Sequence, residues 1–101
     1  MAGGLKINEP AADLAVATAL ISSALNKPLP EECVIFGELG LSGEVRMVTQ
    51  GDIRIKESEK LGFLRGIVPN GIKTQNNGFI LQEIRHIREL AKLFQKEQQV
   101  A

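Results

Sequence analysis

Nucleophilic chemistry needs a hydroxyl or thiol beside a base. The chain offers serines at Ser22, Ser23, Ser42 and Ser58, a single cysteine, Cys33, and a single histidine, His86. Local spacing sets Ser23 four residues before Lys27, and Ser58 between Lys56 and Lys60. The plainer alternative is that helix serines satisfy their hydroxyls on backbone carbonyls. Lys27 sits where prolines end the helix, so it is expected to point to solvent. Ser42 reads as an ordinary turn residue. The acids Asp13, Glu38 and Glu44 would do general acid–base work only if the fold brought two of them together; otherwise they are solvated turn and hairpin carboxylates. His86 without companion ligands makes a poor zinc site, and reads as a surface or capping residue. Cys33 opens an apolar run, where a free cysteine behaves as a small hydrophobe. One cysteine excludes an internal disulfide and an all-cysteine zinc site, and fits a reducing compartment.

Basic residues form the other candidate group. Lys56, Lys60 and Arg65 are close in sequence, Lys73 follows in a polar loop, and Arg85, Arg88 and Lys92 lie on or near the last helix. If two of these groups share a face, they would contact nucleic-acid phosphates. Against this, Glu57, Glu59, Glu83 and Glu89 are interleaved with them, as on an ordinary mixed surface. The 12 basic and 12 acidic side chains cancel, so bulk charge gives no argument for nucleic acid. With four Phe and no Trp or Tyr, aromatic side chains for base stacking are scarce, which argues against single-strand stacking.

The elements that must hold these residues follow from periodicity. At 101 residues, positions 1–101 make one small domain, with an aliphatic core because aromatics are scarce. The start, Met1–Gly4, is glycine-rich. Asn8 is a good N-cap, and Pro10 suits the first turn of a helix that runs to Asn26 and is ended by Lys27-Pro28-Leu29-Pro30. That helix is apolar on nearly every face and is expected to be surrounded. Cys33–Phe36 and Glu44–Met47 read as two strands of a hairpin around the Gly40–Gly43 turn. Thr49–Asp52 resembles a capping box that opens a second helix, with a weak stripe of Ile53, Ile55 and Leu61 and a stop at Gly62. Phe63–Val68 and Phe79–Leu81 read as strands, separated by a polar loop from Lys73 to Gly78. Ile84, Ile87, Leu90, Ala91 and Phe94 recur at helical spacing and predict a last helix, with a frayed tail after Lys96. Strands interleaved with about three helices predict a small mixed sheet in an α/β fold. No apolar run is long enough to span a membrane, and the stretch Ala11–Leu25, which contains Asp13 and lacks a basic leader, is no signal peptide.

Three stretches carry a family resemblance. They are Gly3-Gly-Leu-Lys-Ile-Asn-Glu-Pro-Ala-Ala-Asp-Leu-Ala15, Phe36-Gly-Glu-Leu-Gly-Leu-Ser-Gly-Glu-Val-Arg46, and Lys60-Leu-Gly-Phe63 with Ile67-Val-Pro69. In order and spacing they resemble the C-terminal Lon-protease-like domain of the RadA (Sms) family of bacterial DNA-repair proteins. The resemblance covers nearly the whole chain. In Lon proteases the first stretch holds the nucleophilic serine; aligned through Pro10, that position is Ala11 here. The Lon lysine falls, without gaps, on Asp52. A methyl group cannot attack a carbonyl, and a carboxylate cannot replace an amine base. The resemblance therefore implies an inactive protease fold, with no enzyme activity of its own in this chain. It also implies that a helix and strands of the full domain precede Gly3. The family's ATP and zinc belong to other modules: the chain has no Gly-x-x-x-x-Gly-Lys-Ser/Thr loop and no paired cysteines, so no cofactor is expected here. The implied partners are further copies in a hexameric ring, and DNA, in the bacterial cytoplasm. A Lon-family serine peptidase with relocated residues and a pure oligomerisation module are the alternatives.

Overall fold

The computed structural model describes residues 9–29, 31–72 and 78–99. The glycine-rich start, the Asn8 cap, Pro30, Lys73 and most of its polar loop lie outside the described residues. A 3-10 turn over Pro10–Ala12 leads into α1 (Asp13–Leu25), β1 (Cys33–Ile35), β2 (Glu38–Leu39), β3 (Val45–Arg46), α2 (Gly51–Lys60), β4 (Arg65–Pro69), β5 (Ile80–Ile84) and α3 (Arg88–Gln99).

A three-stranded parallel sheet in the order β1-β4-β5 forms the centre, and β2 pairs with β3 in a separate antiparallel ribbon. Successive residues of a strand point to opposite faces, and central β4 serves two cores this way. Ile67 joins Leu14 of α1, Leu90 of α3 and Ile84 on one face. Val68 joins Ile55 of α2, Phe36 and Phe79 on the other. The result is a small α/β domain with α1 and α3 on one side of the sheet and α2 on the other.

The hairpin is not the one the sequence predicts. Cys33–Ile35 pairs in parallel with β4, Val34 opposite Gly66, while Glu38 pairs with Arg46 and Leu39 with Val45. Gly37 separates the two roles. Its N–H donates to the Ala11 carbonyl (2.8 Å), and its carbonyl accepts from Leu14 N–H (2.9 Å), which pegs the start of α1 to the strand exit. A β-carbon at Gly37 would lie 3.0 Å from Leu14 Cδ2, so only glycine allows that approach.

The helix ends follow backbone geometry more than side-chain caps. Asn26 adopts a left-handed conformation at φ 55°, two residues before the first proline; its N–H meets Ser23 O at 3.1 Å and Lys27 N–H meets Ser22 O at 3.0 Å. Gly62, at φ 96°, ends α2 in the same manner, with Phe63 N–H on Ser58 O at 3.0 Å. The expected Thr49–Asp52 capping box does not form: Gln50 precedes α2 at φ 57° and makes no side-chain cap. Gly51 is buried because Ile72 packs 3.2 Å from where its β-carbon would stand.

Other expectations are corrected. Helix α1 is not surrounded: Leu14 and Thr18 are buried, but Val16 and Leu20 are 38% and 67% exposed. A three-stranded sheet is too narrow to cover more than one side of it. The α2 stripe fails as well, since Ile53 and Leu61 are exposed and the buried line is Gly51, Ile55 and Ser58. Ile84, predicted to open the last helix, instead ends β5 opposite Pro69. The last helix begins at Arg88, and its backbone stays helical past Lys96 to Gln99.

Candidate functional site

The two positions that the resemblance assigns to the protease dyad lie at the openings of two helices. Ala11 is buried in the turn before α1, and its carbonyl is taken by Gly37 N–H. Asp52 is exposed in the first turn of α2, where a carboxylate favours the positive end of the helix. A pair that sequence reasoning missed spans these two openings. The Arg54 guanidinium of α2 binds the Glu9 carboxylate, donates to the Thr49 carbonyl at 3.2 Å, and lies 6.0 Å from the Phe36 ring centroid. Glu9 and Arg54 are 45 residues apart, and nothing local to either residue pairs them.

The serine candidates are engaged elsewhere. Ser22 Oγ donates to the Lys27 carbonyl. Ser58 is buried and its hydroxyl donates to the Arg54 carbonyl at 2.7 Å, turned away from the exposed Lys56 and Lys60. Ser23 and Ser42 are exposed. Cys33 is half-buried, its thiol 3.6 Å from the Val34 carbonyl. Asp13 binds Leu39 N–H at 3.2 Å, and Glu44 binds Arg46 at 2.9 Å, so each acid has its own partner. Among the described residues, no group of three His, Cys, Asp or Glu could hold a metal ion.

The basic candidates divide between the two ends of the parallel sheet. Arg65 opens β4 opposite Ile80, and Arg85 follows Ile84 at the far end of β5. At about 3.3 Å per residue this sets Arg65 and Arg85 roughly 17 Å apart along the strands. Lys56 and Lys60, one helical turn apart, are exposed near the amino end, and Lys60 pairs with Glu57 at 3.7 Å. Arg65 is half-buried. At the carboxyl end Arg85, Arg88 and Lys92 are all exposed, and Arg88 and Lys92 share one face of α3. None of these three has an ion-pair partner among the described residues.

The reason is what the neighbouring acids do. Glu89 accepts from the Arg85 and His86 backbone N–H groups at 2.7 and 3.2 Å. The Arg85 amide is the main cause holding the Glu89 carboxyl below its ordinary range. Glu83 accepts from Gly71 N–H at 2.7 Å. Glu44 accepts from Ser42 N–H at 3.1 Å and is held low by its own backbone N–H first, then by Arg46. Each of these carboxylates is turned onto a backbone amide, while Glu44 also binds Arg46 and Glu89 feels the charges of Arg85 and Lys92. His86 belongs to the same cluster. It stands just before α3 with Nε2 at 2.8 Å from the Ser42 carbonyl and Nδ1 at 3.1 Å from Arg88 N–H.

Fold and site together define a small α/β domain with a braced hairpin at the carboxyl ends of its parallel strands. The family model described as "Subunit ChlI of Mg-chelatase" matches residues 1–72, and the chain belongs to that family. It is also similar to proteins named DNA repair protein RadA: 46% identical over 89 residues to that of Aquifex aeolicus, covering 88% of this chain and 20% of the relative. The corresponding protein of Rickettsia bellii is 53% identical over 93 residues, 92% of this chain and 20% of the relative. That of Haemophilus influenzae is 55% identical over 74 residues, 73% of this chain and 16% of the relative. The chain spans about a fifth of the length of these curated relatives. No helix among the described residues is long and apolar enough to cross a membrane.

Proposed function

We propose that this chain is a Lon-like, non-catalytic domain of a RadA-type DNA repair protein of the bacterial cytoplasm, where it supports ring assembly and contacts DNA. The observation that carries this reading is the buried methyl of Ala11 at the position of the protease nucleophile. It leaves the surface, not a reactive centre, as the working part of the domain. The surface best suited to phosphates is Arg85, Arg88 and Lys92, exposed and without ion pairs among the described residues. ATP and zinc would be supplied by other parts of the longer protein.

The test is fluorescence anisotropy of labelled single-stranded, duplex and forked DNA against the chain at several salt concentrations. Binding that weakens steeply with salt is expected, because each phosphate contact releases counterions. No binding at low salt would remove DNA from the reading. A second reading, a pure oligomerisation module, is favoured by the uncharged outer face of α1, where Val16, Ala19, Leu20 and Ala24 are exposed. It expects a flat DNA titration and self-association that Leu20→Glu abolishes, read by sedimentation.

A further inference from the structure

We propose that His86 is a proton-operated clasp that holds the hairpin to the start of α3. The inference does not rest on the DNA reading above. The hydrogen bonds fix the ring's protonation. The Arg88 backbone N–H can only donate, so Nδ1, 3.1 Å away, must be the unprotonated acceptor. The Ser42 carbonyl can only accept, so Nε2, 2.8 Å away, must carry the hydrogen. The ring is thus neutral, and each nitrogen joins a different element. Gly43 makes room for it: a β-carbon there would stand 2.9 Å from His86 Cε1 and 2.9 Å from Ile87 Cγ2.

The clasp lies across a backbone zipper. Ile87 N–H donates to the Gly43 carbonyl, and Val45 N–H donates to the Arg85 carbonyl, both at 2.8 Å. Between them Glu44 and His86 form an antiparallel bridge. Residues 85–87 therefore continue the hairpin as a short third strand. When a proton adds to Nδ1, two N–H groups face each other where one bond stood. The ring then cannot keep both partners, and the zipper beneath it loosens.

The charged groups on the elements packed here are Glu38, Glu44 and Arg46 of the hairpin, Arg85 and Arg88 on either side of the ring, Glu89 and Lys92 of α3, and Asp13, which braces Leu39 from α1. Among the described side chains four anions meet four cations, so the hydrogen-bond geometry, not an excess of charge, sets the response. Glu44 and Glu89 ionise below their ordinary range, well clear of an imidazole titration. His86 is the only histidine of the chain. A change whose midpoint follows that of the ring nitrogens themselves can therefore be traced to one imidazole.

The experiment is an NMR titration of the 101-residue chain, following the His86 ring nitrogens and the backbone amides of Val45, Ile87 and Arg88. The neutral form is expected as the Nε2–H tautomer. As the ring protonates, the three amides are expected to exchange about five- to tenfold faster after correction for intrinsic pH dependence, the loss of one hydrogen bond. The midpoint of that change should coincide with the ring's own. His86→Gln keeps a donor for Ser42 but does not titrate, so the exchange rates should lose their pH dependence. His86→Ala should exchange fast at every pH; if that variant does not fold, the Gln variant and the ring titration still decide. Amides that keep their protection through the ring's titration would overturn the proposal, as would an Nδ1–H tautomer at high pH or an unchanged pH dependence in His86→Gln.

Discussion

At the carboxyl ends of the parallel strands, Glu44, Glu83, Glu89 and His86 all turn polar atoms onto backbone groups. At the amino ends the chain closes with a backbone turn at Gly62, an exposed ion pair between Lys60 and Glu57, and exposed Leu61, Leu64 and Ile80. Both ends carry similar numbers of charges, yet they differ in what the charges are free to do. Where the acids brace amides, Arg85, Arg88 and Lys92 keep exposed heads without ion pairs among the described residues. At the amino ends Lys60 pairs with Glu57, as Arg46 pairs with Glu44 beside the carboxyl ends. In a chain of zero net charge, an exposed basic patch at one end of the sheet follows from how the carboxylates are engaged, and composition does not reveal it.

The comparison can be broken most severely at Gly43. Gly43→Val should cost about 3 kcal/mol in urea denaturation, through collision with His86 and Ile87 and strain at φ 86°. At the other end, Gly62→Ala meets nothing within 4 Å and should cost about 1.5 kcal/mol, for the left-handed backbone alone at φ 96°. Equal costs at the two glycines would mean that the carboxyl end is not specially braced. Glu89→Gln should come next, at about 1 kcal/mol, through weaker bonds to the Arg85 and His86 amides. The sign of its pH effect is fixed. The folded carboxyl titrates below its ordinary value of 4.5, so its stabilisation is full above that pH and fades as pH falls through the lower folded value. Wild type should therefore lose more stability than Glu89→Gln on acidification, measured by thermal melts between pH 6 and 3. The smallest effect belongs to the exposed pair: Lys60→Ala should change stability by less than about 0.5 kcal/mol.

Much of the frame was legible in the residues, and the failures have physical causes. The Gly40–Gly43 turn and the Gly62 stop were readable because left-handed backbone favours glycine. Ile84 was misplaced because its spacing to Ile87 and Leu90 continues a helical period, while its burial comes from strand pairing with Pro69. The outer face of α1 was misread because an apolar helix looks the same in sequence whether one side or all sides are covered. The hairpin partner of Glu44–Met47 was misassigned because Gly37 hands the chain from one sheet to another at a contact with α1. Of the site, the basic residues were visible as candidates, but their division between two ends needed the strand register. The Glu9–Arg54 brace and the His86 contact to Ser42 join residues 45 and 44 apart, and no local pattern announces either.

We propose that nucleic-acid phosphates meet the carboxyl end of the sheet and not the amino end. The direct measurement is a salt-dependent anisotropy titration of duplex DNA against two charge-reversed variants, Arg85→Glu/Arg88→Glu/Lys92→Glu and Lys56→Glu/Lys60→Glu. The first variant should lose at least about tenfold in affinity at low salt, and its salt slope should fall by up to roughly 0.9 for each of the phosphate contacts removed. The second should bind within about threefold of wild type, as expected for charges that contact no phosphate. Loss of binding in the α2 variant, with the α3 variant unchanged, would contradict it.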